Sequence, residues 1–237
     1  MSSEISSFSM EEDNVENVDE NDQQEEQQQS ASTTQTNYLF YFNRLFYIRK
    51  VIKEDDINEI LQKHFPTLTI SPLMRELNEM LQAYRMEIKR TINQENGDFV
   101  YALNTKDIDD TNKIGCFFDQ NDLKRVNDLF NLIIENNYRL HVDALDEDFS
   151  DVYLKLKELN YYIEKDGNIT FGPMYLVNQE VDDLGLPRCE TCNLYGSIGV
   201  FCSNAECNTF YHVTCLKRMG RDSHTCSKCR THLSYDN

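Results

Sequence analysis

The stretch CETCNLYGSIGVFCSNAECNTFYHVTCLKRMGRDSHTCSKCR, residues 189–230, decides how the rest of the chain is read. Seven of the eight cysteines in the 237-residue chain fall within it. The order is Cys189, Cys192, Cys202 and Cys207, then His212, then Cys215, Cys226 and Cys229. Two-residue gaps at 189/192, 212/215 and 226/229 let two soft ligands on one tight knuckle reach the same ion; the gap at 202/207 makes a looser knuckle. Eight such ligands fill two tetrahedral zinc sites per chain. The start of the chain, MSSEISSFSMEEDN, is acidic and lacks an apolar segment, so a reducing compartment is expected and metal binding is favoured over disulfides.

Counting alone leaves two pairings open. Taken in sequence, the ligands make two independent fingers. Interleaved, Cys189, Cys192, His212 and Cys215 take one ion, and Cys202, Cys207, Cys226 and Cys229 take the other, a cross-brace. The nine-residue link from Cys192 to Cys202 is short and suits the interleaved form, with Phe201, Phe210 and Val213 filling its centre. A segment of this size rarely builds a core that folds unaided. Each structural zinc contributes roughly 10–16 kcal/mol of apparent binding free energy, so the metals take that role. Protein fills all four positions of each ion, so the zinc is structural and no catalytic nucleophile is expected. His224 and His232 lie nearby as alternative ligands, and His212 is favoured over either.

Outward from this block the charge is uneven. Lys plus Arg number 23 and Asp plus Glu 41, a net charge of −18. Such a chain repels phosphate backbones, which excludes a general nucleic-acid coat. No apolar run reaches the length of a membrane helix. Gly 8 and Pro 4 are low, against a loop-rich enzyme built on glycine turns. Residues 1–37 hold ten acids, no Lys or Arg, and a QQEEQQQ tract; they are expected to be a disordered acidic tail.

Residues 38–105 predict three helices and a hairpin. Tyr38, Tyr41, Phe42, Leu45, Ile48 and Ile52 form one apolar stripe, and Ile57, Ile60, Leu61, His64 and Phe65 a second. Ser71-Pro72 reads as the start of a third helix, with Ser71 as its cap. From Met86 the period drops to two on either side of an Asn96-Gly97 turn, a β-hairpin. This is the order of a winged helix, a helix-turn-helix with a β-wing. Residues 106–186 repeat it more weakly and end in a linker. Val126, Leu129, Phe130, Ile133 and Ile134 mark one helix, and Phe149, Val152, Tyr153, Leu156 and Leu159 another. A hairpin flanks Asp166-Gly167, and the middle helix is sought near 142–147. The expected fold is mainly α with β-wings. Two tandem winged-helix domains, 38–105 and 106–186, precede a cross-braced two-zinc domain at 187–237. His64 and His141 are expected to pack in the core, and Cys116 to be a free core thiol. The first unit is neutral, with a small basic surplus only over residues 72–90, and the second is acidic, so both are expected to dock protein rather than DNA.

A zinc block with this ligand order resembles two families, variant RING domains and PHD fingers. PHD fingers carry an aromatic residue, usually Trp, two positions before the seventh ligand. That position is His224 here and the chain has no Trp, which favours the variant RING. RING domains bring a ubiquitin-loaded conjugating enzyme to a substrate and have no nucleophile of their own. Over residues 38–237 the chain resembles the non-SMC element one family, the RING-type subunit of the SMC five–six chromosome-maintenance and DNA-repair complex. MEIKRTINQENGDFVYALNT (86–105), YYIEKDGNITFGP (161–173) and the zinc ligands carry the likeness.

The resemblance implies that the winged helices dock a MAGE-type subunit and that this pair binds the complex's kleisin subunit. It implies RING-type ubiquitin-ligase activity helped by the MAGE partner, in DNA repair and recombination, on chromatin in the nucleus. DNA would be touched only indirectly or weakly, and no membrane is involved. Conjugating enzymes usually meet an apolar residue after the first ligand and Pro after the seventh; here these are Glu190 and Ser227. Arg230, after the eighth ligand, stands where many RING ligases keep an arginine that bridges enzyme and ubiquitin. The alternative expectation is a non-catalytic, zinc-stabilised structural adaptor of the same complex.

Overall fold

Helical periodicity ends at Tyr84 and the chain becomes a strand at Met86. Arg85 makes the change, with φ 53° and its amide donating to the Gln82 carbonyl. In the computed structural model of the chain, residues 38–106, 118–177, 185–220 and 225–233 are described. The expected tail at 1–37 and Cys116 lie outside them.

Helix α1 covers 38–49 and runs into a short strand, β1 (Val51–Lys53), through Lys50 at φ 60°. Helices α2 (Glu54–His64) and α3 (Ile70–Leu81) follow, then strands β2 (Met86–Ile92) and β3 (Phe99–Thr105). The sheet order is β1-β3-β2, all antiparallel, with Val51 opposite Ala102 and Ile88 opposite Leu103. Asn78 fastens α3 to β2, its side chain donating to the Ile88 carbonyl and accepting from the Ile88 amide.

Three local readings of this region need correction. The buried row of α1 is Tyr38, Phe42 and Phe46, so Tyr38 and Phe42 of the expected stripe are buried, whereas Tyr41 and Ile48 face solvent at 45% and 68% exposure. Ile52 is buried from β1, not from the helix. Helix α3 begins one residue before Ser71, with Thr69 at its cap. Pro72 is tolerated inside the first turn because the amide it lacks would have had no intrahelical partner there.

In the second unit α4 (Gln120–Glu135) starts at Asp119, whose side chain accepts from the Asp122 amide at 2.8 Å. Strand β4 (Leu140–His141), helix α5 (Ser150–Glu158), strands β5 (Tyr162–Lys165) and β6 (Asn168–Phe171) and the short α6 (Pro173–Leu176) complete it, in sheet order β4-β6-β5. In place of a middle helix near 142–147 there are two 3-10 turns, Val142–Ala144 and Glu147–Phe149. The His141 and Asp146 side chains accept from the Asp143 and Asp148 amides, so each caps a new turn and no single helix propagates. His64 and His141 are both exposed, not packed. His64 ends a helix with its ring beside Phe65, and His141 caps a turn.

Val126, Leu129, Ile133, Val152, Leu156, Ile169 and Phe171 fill the core of this unit, and Ala102 from β3 joins the same cluster. Lys89 and Asn104 both donate to the Val177 carbonyl, tying the end of the second unit to the first sheet. Leu39–Asn237 forms one compact unit. No helix among the described residues is long and apolar enough to cross a membrane.

Leu129 is fully buried, so Leu129→Ala should lower unfolding free energy by about 2–5 kcal/mol in denaturant titration. Arg125 grips Asp151 with two hydrogen bonds, at 2.9 and 3.0 Å, and these hold the Asp151 carboxyl below its usual value of 3.8. A carboxylate depressed in the folded state contributes stability above its unfolded value and loses it as pH falls through the folded one. Asp151→Asn should therefore lower the melting temperature slightly at pH 7, and the gap from the parent should close on acidification below 3.8.

Candidate metal centres

The module after Pro187 has little regular structure. Strands β7 (Val200–Phe201) and β8 (Phe210–Tyr211) pair, and helix α7 (Val213–Met219) follows, with His212 at its N-cap. Each Cys knuckle closes on a left-handed residue. Asn193 (φ 59°) donates to the Cys189 carbonyl, Asn208 (φ 44°) to Asn204, and Arg230 (φ 63°) to Cys226. Asn tolerates this conformation well, which explains two of the three positions.

The fold gathers the ligands in interleaved groups. Cys189, Cys192, His212 and Cys215 form one cluster, and Cys202, Cys207, Cys226 and Cys229 the other, with all donor atoms in each within 4.8 Å of one another. In the first, His212 Nδ1 lies 3.3 Å from Cys192 Sγ and 3.8 Å from Cys215 Sγ. In the second, Cys202 and Cys229 sulfurs are 3.4 Å apart and those of Cys207 and Cys226 are 3.6 Å apart. A tetrahedral zinc with bonds of about 2.3 Å sets its sulfurs about 3.7 Å apart. Disulfide sulfurs sit about 2.0 Å apart. The donor chemistry and spacing of both clusters therefore fit zinc. His232 belongs to neither cluster, and His224 lies outside the described residues.

The thiols of each cluster pull against one another. Cys189 is held far below the usual thiol range, chiefly by hydrogen bonds from Cys192 and Cys215, and the same contacts push Cys215 far above it. Burial works to raise Cys226, but the Cys229 amide and the Tyr211 hydroxyl bring it down to about 5. The Asn204 amide works to lower Cys202, but burial and the neighbouring thiols carry it up to about 12. Burial opposes charge on His212, yet Cys189 and Cys192 raise it to about 9. A divalent cation removes this conflict, since it favours the deprotonated form of every ligand.

Between the clusters runs β8. Successive residues of a strand point to opposite faces, so Phe210 packs with Cys189 and Cys215, while Tyr211 packs with Cys202, Cys226, Leu216 and Leu233. Of the three residues expected at the centre, only Phe210 is buried. Phe201 is 49% exposed and Val213 half-buried. Sequence reading missed Tyr211, although its place between Phe210 and His212 in a two-residue strand is the signal that finds it.

No protein-family model and no curated protein matches this chain. Among solved structures, a chain of one titled "Nse1-Nse3-Nse4 complex" aligns with a TM-score of 0.58 at 16% identity, over 83% of this chain and 96% of that one. The two chains share a fold.

The cross-brace also brings the two ends of the module's surface together. Glu190, next to Cys189, pairs with Lys228 of the last knuckle at 3.0 Å. The Ser227 amide donates to the Tyr211 hydroxyl at 2.9 Å, and the two hydroxyls are also 2.9 Å apart. Arg230 is exposed beyond them.

Elemental analysis of the purified chain should find two zinc ions per molecule. Cys192→Ser should retain about one, because only the first cluster loses a ligand, and should keep the helical circular dichroism of the two helical units.

Proposed function

We propose that the chain is a RING-type E3 ubiquitin-ligase subunit of an SMC five–six complex, docking a MAGE-type partner through tandem winged helices. In this reading a short strand joins each hairpin as a third strand, the arrangement of a winged helix. The shared fold with a chain of the Nse1-Nse3-Nse4 complex supports assembly with two further subunits, a MAGE-type protein and a kleisin. Work on chromatin in the nucleus, in repair and recombination, follows from that assembly.

The observation that carries docking is α1, which leaves Phe40, Tyr41, Tyr47 and Ile48 in solvent. Four large apolar side chains exposed on one twelve-residue helix mark a protein contact. The first hairpin supports the same preference for protein over DNA. A wing contacts nucleic acid with its tip, but here the tip residue Gly97 is buried, and a Cβ on it would collide with Thr214. Arg90 is paired with Glu54 and stacks on Phe99, and Arg218 stacks on Phe99 too.

For the ligase step the chain works by positioning. Arg230 is free to face solvent, and a guanidinium offers a fixed fork of donors to a bound ubiquitin. The second reading is a zinc-held adaptor without ligase activity. The Glu190–Lys228 ion pair favours it, because a charged pair stands where a conjugating enzyme usually finds an apolar side chain.

Ubiquitin discharge from a conjugating enzyme, with and without the MAGE partner, separates the two. The ligase reading expects discharge that rises with the partner and no thioester on this chain. Arg230→Asn keeps a residue suited to the left-handed backbone and should lower discharge several-fold with zinc content unchanged. Glu190→Ile should raise it. A parent inactive with every conjugating enzyme tried establishes the adaptor instead.

A further inference from the structure

Gln94 sits in the turn of the first hairpin, yet it is only 4% exposed. Its side-chain amide is fully engaged. Oε1 accepts from the amides of Ser197 and Ile198 at 2.6 and 2.9 Å. Nε2 donates to the Phe171 carbonyl at 2.9 Å and lies 3.4 Å from Ser197 Oγ. One side chain thus joins the first hairpin, the end of β6 and loop 195–198 of the metal module. Other groups converge on the same loop. Arg139 donates from Nε and Nη2 to the Ser197 carbonyl, at 3.2 and 2.8 Å, and the Thr170 and Ser197 hydroxyls hydrogen-bond each other.

Loop 195–198 forms the outer wall of the first cluster. While Nδ1 of His212 faces the cysteine sulfurs, Nε2 faces the Tyr195 carbonyl at 3.3 Å. Gly196 lies between the imidazole and Gln94: a Cβ there would collide with His212 Nε2 and stand 3.0 Å from Gln94 Oε1. The second cluster is built differently. The side chains beside its sulfurs, Thr209, Tyr211 and Thr231, all come from within the module.

We propose that Gln94 is a positioning residue for the first metal cluster, fixing the loop whose Tyr195 carbonyl orients His212. The inference rests on the zinc reading of that cluster. A metal-bound histidine keeps its ring orientation through the hydrogen bond made by its other nitrogen, and losing such a partner costs about 10–100-fold in metal affinity. Ion retention in the first cluster is therefore coupled to a hairpin roughly a hundred residues away in sequence, and retention in the second is not.

The full chain can be loaded with cobalt(II), whose absorption distinguishes three thiolates plus imidazole from four thiolates, and challenged with a chelator. Gln94→Met keeps the volume and removes both hydrogen-bonding functions. It should release the three-thiolate ion about tenfold faster than the parent, with the four-thiolate ion leaving at the parental rate. Release of both ions at parental rates, or equal acceleration of both, overturns the proposal. If Gln94→Met does not fold, the exposed Arg139→Met decides: selective acceleration of the first ion supports the coupling, and parental release overturns it. A parent that takes up fewer than two ions instead defeats the zinc reading itself.

Discussion

Buried thiols crowded within hydrogen-bonding distance of one another cannot all ionise without a compensating cation, and this constraint organises the C-terminal module. Each cluster sets thiols driven toward ionisation, Cys189 in the first and Cys226 and Cys229 in the second, against one driven away from it, Cys215 or Cys202. Two dications would relieve both conflicts and fix the path of a segment that has two two-residue strands and one short helix among its described residues. Strand β8 then needs only one residue on each face, Phe210 toward one cluster and Tyr211 toward the other. A small apolar core suffices for such a module if ions bind at both clusters.

What could be read from the sequence divides along physical lines. Knuckle spacing is local, so the eight ligands stood out from residues 189–229 alone. Their pairing is a long-range property, and no count of intervening residues fixes it. The two hairpins were legible because alternation and an Asx-Gly turn are both short-range signals. The α1 stripe was only partly legible because aromatic residues fall on several faces of that helix, so the buried row Tyr38, Phe42 and Phe46 competes with the exposed Phe40, Tyr41 and Tyr47. The broken middle helix of the second unit shows the same limit. There, polar side chains captured backbone amides and outweighed a weak helical pattern.

Least legible of all was the setting of the metal module against the helical units. Gln94, Arg139 and Thr170 are unremarkable polar residues in sequence, and each acquires its role only when Ser197 arrives between them. Buried polar networks of this kind are costly when partly satisfied and rigid when complete. The amide of Gln94 is complete, so directional bonds hold the junction together with the packing of Tyr195 against the core of the second unit.

The burial of Gly97 carries one more consequence. Hairpin tips are usually where chains accommodate added residues over evolutionary time, because nothing stands beyond them. Here Thr214 stands beyond the tip, one position before Cys215 of the first cluster, and Arg218 donates to the Gly97 carbonyl at 3.3 Å. An extra residue in this turn would press on Thr214 and so on the start of α7 that presents Cys215 to the first cluster. The length of the first hairpin is frozen by its neighbour, and divergence among related chains must find its freedom at other loops.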